Sequence, residues 1–380
     1  MMLGAGYPEL ARDFHAQVFN DLIVRHLGTH PKDEIGNSGP NWTSYMNDDY
    51  TPIEFSWNWA GPYVLPKVRY AIEPIGPHTG TTMDPFNSTT ADQFVHQLTE
   101  RGTMIDLTWY HHLNQTLAKK AESPPATESG GEMSSKFLAL ELGTPSHQSI
   151  KAYFILPENP SQDDSQLCTA ISTLPSAGAS IHESLQKVQL LVSTLRGQTT
   201  PKIEMIGIDC IPATEARIKI YIRSPETSFD SVLKMMMLPG KGRSDERVSS
   251  LRDLWQSVLG LEDHFDGTHS LPSNSHRTSG IIYHYDLRLS STSPKVKLYI
   301  PVKHYGGTDF KAAEGFSKWL HRNGYKLQAS SYLEAVQHLC KHRTLQDGLG
   351  FQTYISASLG PGGLSVTAYF CPETYSRLRV

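Results

Sequence analysis

The sequence of 380 residues predicts an α+β fold in which ten antiparallel strands close into a barrel with a wide, solvent-filled lumen and α-helices outside. Two observations support this prediction. Five pairs of segments rich in β-branched, aliphatic and aromatic residues follow one another, and short polar or glycine-containing links join most pairs, as antiparallel hairpins require. Segments with helical periodicity separate the pairs. Because no linker marks a boundary, we expect residues 1–380 to form a single domain.

The predicted elements follow from the spacing of apolar residues along the chain. An opening helix is predicted at 8–29, where Leu10, Phe14, Val18 and Leu22 recur at helical spacing. The predicted hairpins pair residues 52–59 with 67–75, 136–142 with 150–156, 203–211 with 216–223, 281–289 with 295–301, and 351–358 with 364–370. Further helices are predicted near 90–120, 179–197, 226–238, 246–260 and 308–345, and surface loops at 122–134 and 266–279.

Composition and charge exclude several classes of protein. The chain has 34 Lys and Arg residues against 38 Asp and Glu residues and no basic block, so it lacks the charge pattern of a nucleic-acid-binding or membrane-surface protein. It has no basic and then apolar N-terminal stretch and no run of about 18 apolar residues, from which we expect a soluble cytoplasmic protein. Its four cysteines are far apart, which favours neither a disulfide framework nor a zinc site.

A cation and a phenol recur two residues apart in the predicted strands. The copies are Lys151-Ala-Tyr153, Arg217-Ile-Lys219-Ile-Tyr221 and Lys297-Leu-Tyr299, with Gln352-Thr-Tyr354 as a weaker fourth. Side chains two apart on a strand share a face, so each copy places both groups on one surface. Each copy lies in a run that otherwise resembles a core strand.

Equivalent strands of a repeated hairpin present the same face to the lumen, so these residues are predicted to converge there. The first hairpin offers a cation at the equivalent place and the fifth offers a tyrosine. The predicted cations are Arg69, Lys151, Arg217, Lys219 and Lys297, and the predicted tyrosines are Tyr153, Tyr221, Tyr299, Tyr354 and Tyr369.

A buried, unpaired cation costs several kcal/mol, so a cluster of cations needs either an anionic ligand or carboxylates of the protein. Glu73, Glu141 and Asp209 are the candidate carboxylates for internal pairing. The tyrosines favour a more specific ligand, because phenol hydroxyls bind phosphate oxygens while their ring faces stabilise a carbocation. An allylic diphosphate requires both kinds of contact.

Glu54 is an acidic residue within a predicted strand that is rich in aromatic residues, Ile-Glu-Phe-Ser-Trp-Asn-Trp. Alternation places Glu54, Ser56 and Asn58 on one face, opposite the aromatic residues. A carboxylate in a cavity can accept an N–H or O–H from an aromatic substrate and enrich its ring in electrons. An ordinary solvated strand face is the alternative interpretation.

These motifs, taken together and in order, resemble the fungal aromatic prenyltransferases of the dimethylallyltryptophan synthase type. The resemblance extends from about residue 5 to the end of the chain, and it implies five αββα repeats that form the ABBA barrel, with the reaction chamber in the lumen. The motifs that carry it are Thr-Pro-Ile-Glu54-Phe-Ser-Trp-Asn, Val-Arg69-Tyr-Ala-Ile-Glu-Pro-Ile-Gly, Asp84-Pro-Phe-Asn87, Lys151-Ala-Tyr153-Phe-x-x-Pro, Arg217-x-Lys219-x-Tyr221, Lys297-Leu-Tyr299-x-Pro and Thr-Tyr354-Ile-Ser.

The resemblance also implies roles for individual residues. Glu54 matches the acidic residue that holds the aromatic acceptor, commonly through an indole N–H. The cations match residues that bind the diphosphate without a metal, and the tyrosines match residues that shield the allyl cation. Lys297 stands where Gln is frequent, so it is expected to be an extra or replacement phosphate contact. In tryptophan C4 enzymes a Lys is thought to remove the final proton, and we place Gly143 at that position, which leaves the base unassigned.

The expected activity is transfer of a dimethylallyl group from dimethylallyl diphosphate to an electron-rich aromatic ring by metal-independent Friedel-Crafts alkylation. Indole alkaloids, indole diterpenes, cyclic dipeptides and phenolic polyketides are all candidate acceptors. The absent Lys and the pair Trp57 and Trp59 favour an acceptor bulkier than free tryptophan. Two alternatives are a non-catalytic barrel that binds an anionic or phosphorylated ligand and a magnesium-dependent prenyl transferase or cyclase. Helices outside the barrel would permit a homodimer.

No metal site is predicted. Asn47-Asp48-Asp49 is not the paired Asp-Asp-x-x-Asp pattern through which many prenyl-transferring enzymes hold magnesium, and it predicts a turn before the first strand. Residues 239–244 lack the spacing of a phosphate-binding loop and also predict a turn. The remaining histidine sets lack a convincing ligand geometry, namely the adjacent His111 and His112 and the loop residues His264, His269 and His276.

Overall fold

A computed structural model shows ten antiparallel strands that form a closed barrel, which confirms the predicted fold class. Successive strands are neighbours, and pairing of the first strand with the last closes the barrel. The structure describes residues 1–29, 40–100, 105–117, 134–143, 149–156, 160–195, 200–237, 245–360 and 363–376. The predicted turn at 239–244 lies outside the described residues, as does nearly all of the predicted loop at 122–134.

The ten strands coincide closely with the predicted hairpins. Their pairing shows that all five predicted hairpins form. In chain order the strands are β1 Ile53–Trp59, β2 Lys67–Ile72, β3 Lys136–Glu141, β4 Ser149–Ile155, β5 Lys202–Asp209, β6 Ile218–Ser224, β7 Ile281–Arg288, β8 Ser291–Ile300, β9 Gln352–Gly360 and β10 Gly363–Phe370.

The described helices surround the barrel and differ from the predictions mainly where a long segment is divided. The segment 90–120 forms two helices, and Gly324, with φ of +87°, ends one helix and separates it from the next within 308–345. In chain order the α-helices are α1 Glu9–Val18, α2 Thr89–Glu100, α3 Thr108–Thr116, α4 Pro160–Ser172, α5 Ala179–Thr194, α6 Phe229–Met236, α7 Asp245–Leu259, α8 Val302–Tyr305, α9 Asp309–Arg322 and α10 Lys326–Leu339.

Two helical segments depart from the sequence analysis in informative ways. Helix α4 was not predicted, because its first half is the polar run Pro-Ser-Gln-Asp-Asp-Ser-Gln and only its second half has apolar periodicity. The predicted helix at 8–29 is α1 followed by a π-helical turn at Phe19–Ile23 and a 3-10 turn at Val24–His26. No helix in the described ranges is long and apolar enough to cross a membrane.

The main hydrophobic core lies between the barrel and its helices. Trp57 and Trp59 of β1 are 2% and 0% exposed, and their rings are 5.1 Å apart. The ring of Trp59 packs 5.5 Å from Phe316 of α9 and 5.6 Å from Tyr332 of α10. Aromatic side chains on the outward face of β1 therefore fix the helical layer, while the inward face remains for polar residues.

A buried carboxylate anchors the segment that precedes β1. Glu73, just after β2, accepts hydrogen bonds from Trp42 Nε1 at 2.8 Å, Ser44 Oγ at 2.6 Å and Asn87 Nδ2 at 3.0 Å. This network holds the residues around Tyr45, which line one end of the lumen. Glu73 pairs with none of the lumen cations in the described structure, so of the three candidate carboxylates it is the one that does not provide internal pairing.

Candidate active site

Strand β1 shows how the lumen is organised along its axis. Glu54, Ser56 and Asn58 border a cavity of about 400 Å³. Glu54 and Asn58 are roughly 13 Å apart at the rise of an extended strand. Tyr369 lies opposite Ser56, and Nη2 of Arg69 donates to Asn58 at 3.4 Å. We name the three levels the Glu54 end, the tyrosine level at Ser56 and the cation end at Asn58.

The structure places every residue of the predicted site on the wall of this cavity. The strands bring the cations to the cation end, four of the tyrosines to the tyrosine level, and Tyr354 with Glu54 to the opposite end. The residues concerned are Glu54, Arg69, Lys151, Tyr153, Arg217, Lys219, Tyr221, Lys297, Tyr299, Tyr354 and Tyr369. Their roles in binding and catalysis stay predictions.

Ion pairs hold four of the five cations. Nε of Arg69 lies 2.7 Å from Glu141, and Nζ of Lys151 lies 3.5 Å from the same carboxylate. Nε of Arg217 lies 2.5 Å and Nζ of Lys219 2.6 Å from Asp209. Internal carboxylate pairing, the alternative considered from the sequence, therefore occurs at two of the three candidate carboxylates.

A third carboxylate, which the sequence analysis did not identify, completes the cation end. Nη1 of Arg217 lies 3.3 Å from Oδ2 of Asp286 on β7. Set against Glu141, Asp209 and Asp286, the five predicted cations leave two positive charges in excess. The cation end therefore has a net positive charge that attracts an anion.

Lys297 differs from the other four cations in having no carboxylate partner in the described part of the chain. Its Nζ donates to Thr367 Oγ1 at 3.3 Å. Burial, together with the nearby charge of Arg69, lowers the pKa of Lys297 to about 7. Burial and the charge of Arg69 likewise bring the pKa of Lys151 to about 7, even though Glu141 lies close. Both ammonium groups would gain from a bound anion.

The tyrosine level is a continuous layer of aromatic rings. The ring centroids of Tyr153 and Tyr221 are 5.8 Å apart, those of Tyr221 and Tyr299 6.0 Å, and those of Tyr299 and Tyr369 5.6 Å. Burial raises the pKa of each of these four phenols, so the hydroxyls stay protonated. The layer offers both hydrogen-bond donors and electron-rich ring faces.

Gly207 on β5 makes room for one of these rings. A Cβ atom at this position would lie 3.0 Å from Cδ1 and Cε1 of Tyr153 and 3.4 Å from Cε2 of Tyr221. The ring of Tyr153 can therefore lie flat against the backbone of β5, stacked 4.5 Å from Phe137 on its other side. A side chain at Gly207 would displace the tyrosine level.

Glu54 is a buried carboxylate at the far end of the chamber from the cations. Its Oε1 accepts a hydrogen bond from Thr353 Oγ1 at 2.6 Å. Burial raises the pKa of Glu54 to about 7, although Thr353 and Lys303 favour the ionised form. Such a carboxylate can hold a hydrogen-bond donor and accept its proton near neutral pH.

Two ion pairs adjoin Glu54. Nζ of Lys303 lies 2.7 Å from Asp48 and 4.9 Å from the ring centroid of Tyr354. Arg223 donates to both oxygens of Glu204, from Nε at 2.5 Å and from Nη2 at 2.9 Å. The Glu54 end thus offers two cations and two anions beside Glu54 itself.

Asp48, His276 and His304 form a group whose potential ligand atoms lie within 4.8 Å of one another. This grouping was not foreseen, since His276 was considered only with its loop neighbours. The hydroxyl of Thr278 lies at its centre, 2.7 Å from His304 Nε2 and 2.9 Å from Asp48 Oδ1. The Lys303 ammonium on Asp48 disfavours a metal cation there.

Comparison with known proteins gives the family. A family profile described as tryptophan dimethylallyltransferase matches residues 1–335. The 4-O-dimethylallyl-L-tyrosine synthase of Claviceps purpurea is 37% identical over 388 residues, which cover 99% of this chain and 86% of the relative. A 7-dimethylallyltryptophan synthase of Aspergillus fumigatus is 29% identical over 400 residues, which cover 99% of this chain and 83% of the relative.

The chain belongs to the tryptophan dimethylallyltransferase family. It is thus an aromatic prenyltransferase, as the sequence motifs predicted. Solved structures agree on the fold of this prenyltransferase. AnaPT from Neosartorya fischeri superimposes with a TM-score of 0.82 at 21% identity, covering 98% of this chain and 90% of that one. NotF in complex with brevianamide F and DMSPP superimposes with a TM-score of 0.80 at 18% identity, covering 98% of this chain and 90% of that one.

Two earlier interpretations of the prenyltransferase's acceptor need correction. Trp57 and Trp59 point away from the lumen into the helical layer, so they provide no information on acceptor size. Gly143 lies beyond the end of β3, where its carbonyl contacts His15 Nε2 at 2.7 Å. Phe137 and Ala139 of β3 border the lumen, and neither can serve as a base.

The sequence analysis missed several charged residues of the prenyltransferase chamber. His284 and Asp286 share the lumen face of β7, and Glu204 lines the lumen from β5. Strand alternation identifies His284 and Asp286, which share a face of β7 with Ile282. It does not identify Glu204, which reaches the lumen because a β-bulge between Ile203 and Met205 interrupts the alternation of β5. Lys303 lies in the short helix α8, where period-two alternation gives no information.

Proposed function

We propose that this prenyltransferase transfers a dimethylallyl group from dimethylallyl diphosphate to the side chain of a small aromatic amino acid, with L-tyrosine as the leading acceptor. The observation that carries the proposal is the order of groups along the chamber. Cations with excess positive charge lie at one end, a layer of tyrosines lies in the middle, and Glu54 lies at the other end. The diphosphate, the allyl cation and the acceptor each meet a suitable environment.

The cation end would favour breaking of the C–O bond of dimethylallyl diphosphate into an allyl cation and diphosphate, without a metal. As the C–O bond breaks, negative charge grows on the diphosphate, and each unit charge pair at 4 Å contributes about 4 kcal/mol at an effective dielectric near 20. Because ion pairs already fix Arg69, Arg217 and Lys219, little reorganisation is needed during the reaction. The tyrosine level would exclude water from the cation and stabilise it.

Glu54 would hold and activate the acceptor. Its pKa of about 7 lets the carboxylate accept the O–H of a phenol and draw electron density into the ring and its oxygen. The relative from Claviceps purpurea is named for a product of L-tyrosine, which supports a phenol here. The indole of L-tryptophan is the second candidate, since Glu54 could equally accept an indole N–H and the family description names tryptophan.

The two ion pairs beside Glu54 support an acceptor that carries both charges of an amino acid. Arg223 and Lys303 could each exchange part of their contact for the acceptor's carboxylate, and Glu204 and Asp48 could do so for its ammonium group. An apolar polyketide or terpenoid would make no use of these charged groups, which would stay paired with one another. A free amino acid therefore fits this end better than the bulkier acceptors considered first.

A product assay tests the proposal directly. The protein is incubated with dimethylallyl diphosphate and L-tyrosine, L-tryptophan, a cyclic dipeptide or a naphthol, with EDTA present, and products are read by mass spectrometry. We expect a gain of one dimethylallyl group on L-tyrosine at full rate in EDTA, and fragmentation then tells oxygen from carbon. Loss of activity in EDTA would support a magnesium-dependent enzyme, and binding of the diphosphate without any product would support a non-catalytic barrel.

Glu54→Gln is expected to lower kcat/KM for the acceptor by ~10²-fold, because the amide cannot take the acceptor's proton. With a phenol, the wild-type rate should rise as the pH passes upward through about 7, where Glu54 becomes ionised, and this rise should be absent in the variant. Steady-state kinetics against pH measure both effects. Glu215→Gln makes the same change at an exposed site and should leave the rate unaltered. Equal activity of Glu54→Gln and wild type would exclude the role.

A further inference from the structure

His284 connects the cation end to the tyrosine level through two contacts of its ring. Its Nε2 lies 3.2 Å from Oδ1 of Asp286, two residues along β7, and its Nδ1 lies 3.0 Å from the hydroxyl of Tyr299 on β8. All three groups are buried and border the lumen. The roles proposed above use Tyr299 but leave His284 without a function, and Asp286 has only its contact with Arg217.

Both ring nitrogens of His284 face oxygen atoms that can accept a hydrogen bond. A neutral imidazole has one N–H and can donate to only one of them, whereas an imidazolium donates to both. Oδ1 of Asp286 is buried and accepts no hydrogen bond of good geometry in the structure. The site therefore has the contacts that an imidazolium would use, with Asp286 as its counter-ion.

In the structure the imidazole is kept neutral by its surroundings. Burial lowers the pKa of His284 to about 4, against the opposing effect of Asp286. The charged and titratable groups that face it are Lys219 and Tyr221 on β6, Asp286 on its own strand, and Lys297 and Tyr299 on β8. A bound diphosphate would offset the charges of Lys219 and Lys297 and would remove their effect on His284.

A bound diphosphate also brings negative charge close to His284. A diphosphate monoester carries roughly three negative charges when fully ionised. His284 is the neutral group that lies between two lysines and the tyrosine level, so the negative charge of the ligand favours protonation of its imidazole.

We propose that His284 takes up a proton when diphosphate binds and that, through Tyr299, it donates this proton to the leaving diphosphate. The proposal rests on the proposed function for its catalytic step and on the geometry of the cation end for its binding step. His284 lies opposite Lys297 in the strand register and beside Tyr221, at the boundary between phosphate-binding cations and shielding tyrosines. That boundary is where the C–O bond of the co-substrate would break.

The step balances in protons and electrons. The C–O bond breaks and its electron pair passes to the diphosphate oxygen, which receives the proton of the Tyr299 hydroxyl. Tyr299 takes the proton from Nδ1 of His284, and the imidazole becomes neutral again. The carbocation left in the tyrosine level is captured by the acceptor, whose own proton goes to Glu54. Asp286 holds the imidazole ring and stabilises its charge, so it acts as a positioning residue.

Calorimetry of inorganic pyrophosphate binding tests the proton uptake without turnover. The titration is run near pH 6, where Lys151 and Lys297, with pKa values of about 7, are already mostly charged. Repeating it in buffers of different ionisation enthalpy gives the number of protons taken up. We expect wild type to take up about one proton more than His284→Gln, whereas the control His15→Gln, a buried histidine outside the lumen, should match wild type.

Equal proton uptake by wild type and His284→Gln overturns the proposal. Should the variant fold poorly, ¹⁵N NMR of histidine-labelled wild type gives the same answer, because His284 must change from neutral to doubly protonated when pyrophosphate is added. In turnover we expect kcat of His284→Gln to fall by ~10²-fold. Uptake without any prenylated product would exclude the proposed function but not the binding step. Product formation without uptake would exclude this inference alone.

Discussion

Lys297→Met is expected to lower kcat/KM for dimethylallyl diphosphate by ~10²-fold while the protein stays at least as stable as wild type. The ammonium group lies in the chamber without a carboxylate partner among the described residues, so its charge is available to the diphosphate. Loss of one preorganised charge contact typically costs 10²–10³-fold in rate. The free energy of unfolding should not fall, since methionine replaces a buried cation with an unbranched apolar side chain and leaves no anion exposed. Steady-state kinetics and denaturant titration measure the two quantities.

The pH dependence of the same variant provides an internal check. In wild type, affinity for diphosphate should decrease as the pH rises above about 7, because Lys151 and Lys297 lose their protons there. Lys297→Met should show a weaker decrease, since one of the two titrating groups is gone. Lys234→Met makes the same change at an exposed position of helix α6, which does not line the chamber, and should alter neither property. A stable Lys297→Met enzyme with wild-type kinetics would remove Lys297 from the diphosphate site.

The fold was predictable because its hairpins are local. Turn residues and alternating apolar residues lie within a few positions of one another, so all five hairpins could be identified from sequence alone. The division of helical segments was less predictable. Helix α4 begins with polar residues, and the break after α9 depends on the left-handed conformation of Gly324.

The cations of the site and two candidate partners, Glu141 and Asp209, could be predicted, whereas Asp286 was missed. Alternation places Lys219 and Tyr221 on one face of β6 without any knowledge of the neighbouring strands. Whether Asp209 or Glu73 contacts those cations depends on strand register and on what lies beyond each strand end. Asp209 is at the end of β5 and reaches Lys219, whereas Glu73 follows β2 and turns toward Trp42.

Carboxylates and an anionic ligand were treated as alternatives, and the structure shows how they combine. Glu141, Asp209 and Asp286 hold the guanidinium and ammonium groups in position, but they do not neutralise all of them. Carboxylates in fixed positions hold the charged ends of these side chains so that they face the lumen. Because these carboxylates are negatively charged, they lower the net positive charge of the cation end. The ammonium group of Lys297 restores part of it.

Arg217→Met is expected to impair both activity and stability, in contrast to Lys297→Met. Arg217 contacts two buried carboxylates, with Nε 2.5 Å from Asp209 and Nη1 3.3 Å from Asp286. Removal of one partner of a buried ion pair leaves charge without compensation, and we expect the free energy of unfolding to fall by about 3 kcal/mol. The rate with dimethylallyl diphosphate should fall by at least ~10²-fold, because the chamber loses a cation and Asp286 then repels the diphosphate. Denaturant titration and steady-state kinetics read the two effects separately.

The double variant Arg217→Met/Asp286→Asn separates the two effects. Removing the negative charge of Asp286 should restore part of the lost stability, because the buried carboxylate no longer lacks its partner. Activity should stay low, since the double variant still lacks the guanidinium that we propose contacts the diphosphate. Both variants carry the Arg217 change, and they differ only in whether residue 286 is negatively charged. If the unfolding midpoint recovers in the double variant while kcat stays low, Arg217 serves both structure and catalysis. Recovery of both quantities would mean that Arg217 serves only to neutralise Asp286 and that the other cations bind the diphosphate without it.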